Sequence, residues 1–215
     1  MTHPSPQLTQ HAKGIDQLIQ LAAAKPLSPA VDHFYFLRHG QTPRNALRIF
    51  QSYEEPLSDL GLQQAALAAT LLAQEPIRSI VCSDARRAFD TAHAVAAPLG
   101  LTPVAREVLR ERHFGCLIGT SSAEIDWACS PEGGETLAQF VERKRAALDA
   151  ALQAPAPVLI VAHGGTLYVL AALLRVPVDA ALLGNAQPLR FERQANGQWT
   201  ARALMRADGS VAAIA

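Results

Sequence analysis

Two segments of the 215-residue chain join histidine to glycine: Arg38-His39-Gly40-Gln41-Thr42 and His163-Gly164-Gly165. Imidazole can act as a nucleophile or a proton carrier near neutral pH. Between these segments lie Ser83-Asp84-Ala85-Arg86-Arg87 and Arg110-Glu111-Arg112-His113. Arginine presents a planar fork that suits phosphate, and glycine lets backbone N–H groups approach a ligand closely. Two histidines, several arginines, free amides and one acid make a phosphate site with a candidate nucleophile and a candidate proton donor. Each residue has a plainer alternative. His39 and His163 could be hydrogen-bonded core histidines. Arg86 and Arg87 could serve their own helix, and Glu111 could be a solvated loop acid. Glu135 is expected to favour a helix N-terminus through the macrodipole.

The elements that must position these residues follow from hydrophobic periodicity. Strands are expected over residues 33–37, 79–82, 103–109 and 158–162. Helices are expected over 7–25, 58–73, 85–97, 135–152 and 166–174. Leu8, Ile15, Leu18 and Ile19 mark the inner face of the first helix, and Leu60, Ala65, Leu67, Leu71 and Leu72 that of the second. Asn196-Gly197, between apolar runs 189–194 and 198–204, is a strong hairpin signal. Alternating strands and helices predict a three-layer α/β/α fold, with a mainly parallel sheet and an antiparallel edge. Ligands of such sheets bind beyond the carboxyl ends of the strands. His39, Arg87, Glu111 and His163 all fall there. A helix beginning after Gly165 adds a positive helix end. The stretch 158–174 is poor in charge, but His163-Gly164-Gly165 splits it and Pro157 and Pro177 bound it. It is read as a buried strand and helix, not a membrane span.

Composition narrows the function classes. Hydrophobic residues make up 49%, so the chain is globular. Its 19 basic and 19 acidic residues cancel, which argues against a nucleic-acid binder or a polybasic membrane-surface protein. Three cysteines without a CxxC pair form neither a disulfide framework nor a zinc motif. With the polar start Met1 to Gly14, which shows no secretory signal, they fit a cytoplasmic protein. Residues 1–30 are read as an N-terminal helical extension, suited to packing on the sheet or to a homodimer contact rather than to catalysis.

In chain order the same segments resemble the histidine phosphatase superfamily, the phosphoglycerate mutase-like group. Phe36-Leu37-Arg38-His39-Gly40-Gln41-Thr42, with Asn45 after it, resembles the RHG signature. Pro56-Leu57-Ser58-Asp59-Leu60-Gly61-Leu62-Gln63-Gln64-Ala65 is similar to its "PLT..G..QA" stretch. The run from Ser83 to Ala92 resembles "S.L.RA.QTA", which places the family arginine on Arg87. Leu109-Arg110-Glu111-Arg112-His113-Phe114-Gly115 is similar to "L.E..FG", Gly133-Gly134-Glu135-Thr136 to "GGES", and Val161-Ala162-His163-Gly164-Gly165 to "V.HGG". Ser52 and Asp90 depart from the pattern, at positions not expected to touch the chemistry.

The resemblance implies a phosphoglycerate mutase-like domain over residues 31–215. It implies a phosphomonoesterase that needs no metal or cofactor and works through phosphohistidine. His39 would be the nucleophile, its other ring nitrogen held protonated by a backbone carbonyl. Arg38, Arg87 and His163 would surround the phosphate oxygens, and Asn45 with backbone amides near Thr42 and Gly164 would add neutral donors. Glu111 would protonate the leaving alkoxide and then activate water, with an optimum at neutral to mildly acidic pH. The expected partner is a small phosphomonoester. Selectivity is expected in loops 44–55 and 112–131, the second carrying Trp127. The alternatives are a mutase, a non-catalytic phosphate- or phosphoprotein-binding module, and a zinc hydrolase using His39, His113 and His163. Residues 112–134 are too few for a mutase's long insertion after the acid, and no HExxH supports zinc.

Overall fold

The computed structural model describes residues 12–179 and 182–204. Its strands are β1 (His33–Arg38), β2 (Ser79–Ser83), β3 (Val104–Arg106), β4 (Val158–Ala162), β5 (Pro188–Arg193) and β6 (Trp199–Ala203). They form one six-stranded sheet in the order β3-β2-β4-β1-β5-β6. The first four strands in that order are parallel, and β5 and β6 add an antiparallel edge. The helices are α1 (Ile15–Ala23), α2 (Pro43–Ala46), α3 (Asp59–Leu72), α4 (Arg86–Leu99), α5 (Leu137–Ala151) and α6 (Gly164–Leu173).

Strand alternation divides the core in two. Phe34, Phe36, Val158, Ile160 and Ala162 point into the half that contains α1, α5 and α6. Tyr35, Leu37, Leu159 and Val161 point into the half under α3 and α4. β4 is buried along its whole length, as a central parallel strand covered on both faces must be. The apolar stretch 158–174 is thus a strand running into a helix. Among the described residues no helix is long and apolar enough to cross a membrane.

Several boundaries shift for physical reasons. The third expected strand shortens to β3, and Glu107–Leu109 turns as a 3-10 helix instead. α5 starts later than expected, because Thr136 and Gln139 form a reciprocal capping box. α6 starts earlier, at Gly164. α3 is rotated from the expected face. Ala65, Ala68, Ala69 and Leu72 are its buried apolar positions, while Leu60, Leu67 and Leu71 are only half-buried. The cause lies at its first turn. Gly61 packs on the backbone of the loop after β1, where a Cβ would stand 2.0 Å from the Gln41 carbonyl oxygen. Gln64 Oε1 accepts the Gln41 N–H at 2.8 Å. The helix is turned to hold that loop, and small alanines then fit its inner face.

Residues 7–11 of the expected first helix, Leu8 among them, lie outside the described residues. α1 itself packs on α6 and α5, and Ile15, Leu18 and Ala22 join the same core as Phe34 and Phe36. Leu18 is 0% exposed. Leu18→Ala should therefore cost about 2–5 kcal/mol of stability, the range for truncating a fully buried leucine. Urea titration measures this directly. A loss below about 0.5 kcal/mol, the range of ordinary surface substitutions, would mean that α1 is peripheral to the core.

Candidate active site

Parallel register brings the two histidines together. Arg38 of β1 pairs with Ala162 of β4, so His39 and His163 leave the sheet side by side. The His39 N–H donates to the Ala162 carbonyl at 3.0 Å, and the two rings lie 5.2 Å apart between centroids. His39 Nδ1 lies 2.7 Å from the Gly40 carbonyl oxygen. A carbonyl only accepts, so Nδ1 carries the proton and Nε2 carries a lone pair. Arg87 Nε donates to that Nε2 at 3.3 Å. On the other side Cys82 of β2 pairs with Val161, which sets Ser83 next to His163. Ser83 Oγ lies 2.9 Å from His163 Nε2 and accepts the Ala85 N–H at 3.2 Å. The hydroxyl, with one proton and a second lone pair, can donate to Nε2 or accept from it.

The arginines are desolvated and meet neutral partners. Arg38 Nη1 donates to the Leu183 carbonyl at 2.6 Å. Arg87, 3% exposed, donates from Nη1 to the Ser52 carbonyl at 2.8 Å. Ser52 thus supports the site through its backbone, although its side chain departs from the family pattern. Burial pulls Arg38 below its ordinary pKa, against Glu111 and Tyr168. Burial pushes Arg87 down to about 10, against Glu111 and Glu55. Arg38 Nε and His163 Nδ1 are buried without a hydrogen-bond partner among the described residues. Buried polar groups are nearly always hydrogen-bonded, so each exception calls for an explanation. Arg38, His39, Arg87, Glu111, His163 and Gly164 all line one cavity of about 430 Å³.

Glu111 faces this group from the loop after the 3-10 turn. Its Oε2 accepts the Gly165 N–H at 2.7 Å and its Oε1 the Arg112 N–H at 3.0 Å. The acid itself therefore occupies the positive end of α6. Gly165 is small for this reason: a Cβ there would stand 2.6 Å from Glu111 Oε1 and 2.5 Å from Trp127 Cη2. The loop has no regular structure, and α5 holds it. Arg143 donates to the carbonyls of Val108, Arg110 and Glu111 at 2.8, 2.9 and 3.3 Å. Lys144, fully buried, donates to the carbonyls of Val108 and Arg110. Glu135 accepts from Arg143 twice at 2.6 Å and from the His113 N–H at 2.9 Å. It is a clamp on the acid loop, and Thr136 caps α5 in its place. Periodicity placed Arg143 and Lys144 on an amphipathic helix and carried no signal of this role.

Other expected site residues are placed elsewhere. Thr42 is 0% exposed. Its hydroxyl caps α2 by accepting the Asn45 N–H at 3.0 Å and donates to Gln51 Oε1 at 2.7 Å. Neither Thr42 nor Asn45 lines the cavity, whereas Arg48, Gln51, Tyr53, Tyr168 and Leu183 do. Gly40 serves packing rather than ligand approach. A Cβ there would stand 2.5 Å from the Gly61 carbonyl oxygen, and its N–H donates to Thr91 Oγ1 at 3.1 Å. Arg110 is committed to Asp84 through two bonds of 2.8 and 2.7 Å. Arg112 donates to the carbonyls of Trp127, Cys129 and Glu135. Trp127 is 9% exposed within the core, so it packs the wall and has no open face for stacking. Among the described residues no three His, Cys, Asp or Glu side chains are grouped to hold a metal ion.

Burial, then Arg87 and Arg38, holds His39 well below the ordinary 6.5. Burial, then Arg87, His39, Lys144 and Arg38, does the same for His163. A group depressed on folding contributes stability above its unfolded pKa and loses it as pH falls. Each histidine should therefore remove up to about 1.4 kcal/mol per pH unit below about pH 6.5. Urea midpoints from pH 7.5 to 5 should fall in the wild type and fall less steeply in His163→Gln. Parallel slopes in the two proteins would show that His163 is not held neutral.

The sequence model of the histidine phosphatase superfamily (branch 1) matches residues 34–204. The chain is 36% identical over 212 residues to a glucosyl-3-phosphoglycerate phosphatase of Mycolicibacterium vanbaalenii, a match covering 86% of this chain and 90% of that one. It is 35% identical over 165 residues to a Yersinia pestis protein named probable phosphoglycerate mutase GpmB, covering 68% and 76% of the two chains. Among solved structures, a mycobacterial glucosyl-3-phosphoglycerate phosphatase in complex with VO3 superposes with a TM-score of 0.65 at 32% identity, covering 80% of this chain and 97% of that one. With the paired histidines, the desolvated arginines and the sheet order already in place, these matches show that the chain belongs to the histidine phosphatase superfamily.

Proposed function

We propose that the chain hydrolyses a small phosphomonoester in two steps through phosphohistidine. The observation that carries this reading is the pairing of a neutral His39, its Nε2 lone pair facing the cavity arginine, with two buried polar atoms that lack partners, Arg38 Nε and His163 Nδ1. A phosphoryl group bound there satisfies both atoms. Each cation about 4 Å from a phosphate oxygen is worth up to roughly 4 kcal/mol at an effective dielectric of 20. The gain is largest in the transition state, where charge spreads over the equatorial oxygens.

In the first step the Nε2 lone pair forms the N–P bond, the ester P–O bond breaks, and Glu111 delivers a proton to the departing alkoxide. In the second step water attacks phosphorus, Glu111 takes its proton, and His39 departs with the electrons of the N–P bond. Because the protein holds His39 neutral well below pH 6.5, the nucleophile stays competent in mildly acidic solution. The backbone at Gly164, which lines the cavity, remains proposed as a neutral phosphate donor. The short segment 112–134 favours transfer to water over retention of the phosphoryl group for a mutase step.

The substrate we favour is a phosphorylated glycerate derivative, glucosyl-3-phosphoglycerate first. That choice draws on the relatives, and on Arg48 in the cavity wall as a cation for a carboxylate. Cysteines 82, 116 and 129 are all free, which supports a reducing, cytoplasmic location. A homodimer is compatible with this reading and plays no part in it.

Three experiments test it. His39→Ala should form no acid-labile phosphoprotein on incubation with 32P-labelled substrate, and a labelled mutant would remove His39 as the nucleophile. Glu111→Ala should slow alkyl phosphates about 100-fold or more, the lower range for a lost general acid. It should slow p-nitrophenyl phosphate far less, because that leaving group needs little protonation. Equal losses on both substrates would make Glu111 a structural residue. Phosphate release from 3-phosphoglycerate, compared with its isomerisation in a coupled assay, separates hydrolase from mutase.

A further inference from the structure

Residues ahead of α1 reach the substrate cavity. Ala12 lines it together with Arg48, Ser122, Ile125 and Trp127. The Lys13 carbonyl accepts the Trp127 N–H at 2.8 Å, and Lys13 Nζ pairs with Asp126 Oδ2 at 2.9 Å. Gly14 adopts a left-handed φ of +79°, and a Cβ there would stand 2.3 Å from Ala128 N and 2.8 Å from Asp126 Oδ1. Backbone therefore lies directly on backbone, an approach that only glycine allows at this φ. The ion pair adds little, because the Lys13 side chain is 80% exposed. The contact that matters is the main-chain one. Residues 12–14 lie outside the stretch 34–204 that matches the superfamily.

The contact fixes a wall of the site. Trp127 is held through both of its backbone groups: its N–H donates to Lys13 and its carbonyl accepts from Arg112. Its ring packs edge-on to Phe114 at 5.7 Å and against Phe140 at 6.1 Å. The ring end lies where a Cβ on Gly165 would fall, beside Glu111. Without the Lys13 carbonyl, the N–H of the buried Trp127 loses its acceptor, and the segment carrying Ser122, Ile125 and Trp127 loses its outer support. The phosphate-facing groups stand apart from it, since they come from the ends of β1 and β4 and from α4.

We propose that residues 12–14 are a strap that completes the substrate cavity and sets the 122–127 wall, making them specificity-determining for the organic part of the phosphomonoester. The proposal rests on the phosphatase reading. It predicts that damage to the strap weakens recognition of the alcohol moiety while phosphate recognition persists.

The test uses Gly14→Val, which forces the two backbones apart, and Ala12→Trp, which leaves the strap but fills the cavity wall. Three quantities are measured: KM for glucosyl-3-phosphoglycerate, the inhibition constant of inorganic phosphate, and hydrogen exchange at the Trp127 amide. Both variants should raise KM about tenfold or more, the scale of a misfitted substrate contact. The phosphate inhibition constant should move less than about twofold, which is about 0.4 kcal/mol. Gly14→Val should speed Trp127 exchange about tenfold or more, as for a locally opened amide, and Ala12→Trp should leave it unchanged. An unchanged KM in either folded variant, or a phosphate constant that rises in step with KM, overturns the proposal. If Gly14→Val does not fold, Ala12→Trp decides it through the same ratio. If the wild type releases phosphate from no ester, the phosphatase reading fails and specificity for an ester falls with it. Exchange at Trp127 would still show whether the strap holds the wall.

Discussion

The site depends on the pairing of Arg38 with Ala162 between two adjacent parallel strands. A slip of one residue would turn every side chain of β1 to the opposite face and would separate His39 from His163. The register is protected because both faces of β1 and β4 are buried, with Phe34 and Phe36 on one side and Tyr35 and Leu37 on the other. The loop that follows β1 is then tied down by Gly61, Gln64 and Thr91, which meet its backbone. Desolvated guanidiniums and neutral imidazoles are costly on their own. They persist here because the apolar sheet that carries them is stable for other reasons.

The acid is positioned by a different device. Glu111 stands on irregular backbone, so its placement cannot come from a sheet ladder. Arg143 and Lys144 instead gather the carbonyls of Val108 and Arg110, Arg143 also takes that of Glu111, and Glu135 orients Arg143. Burial, then Arg143, pulls the Lys144 ammonium well below its ordinary pKa. The group is tolerated because carbonyl oxygens and the Phe140 ring surround it. Such rigid support is what an acid needs if it is to meet a leaving group and then a water at the same point. The wall opposite is braced by Arg112 and by residues 12–14, so the cavity is assembled from segments far apart in the chain.

The strand ends were legible before the structure. Apolar runs with sharp polar boundaries located His39, Arg87 and His163, and a parallel sheet must bring such ends to one rim. The rotation of α3 was not legible. Its leucines suggested one face, and the need of Gly61 and Gln64 to reach Gln41 selected another. Glu135 looked like a helix-dipole residue, because its partner Arg143 is found only once α5 lies against the acid loop. Gly40 looked like a ligand-facing glycine, although the close neighbour is Gly61. Thr42 and Asn45 were expected to face phosphate, and the structure shows Thr42 capping α2.

What the sequence determined by itself is the set of candidate groups and their order along the chain: a candidate nucleophile, two cations, a candidate acid and a second histidine, each following an apolar segment. Local periodicity and side-chain type are enough for that. What only the tertiary structure decided is which groups hold them. The tautomer of His39, the clamp of Arg143 and Lys144 on the Glu111 loop, and the reach of Ala12, Lys13 and Gly14 to Trp127 are all contacts between distant segments. No periodicity records such contacts, because they exist only after the layers have packed.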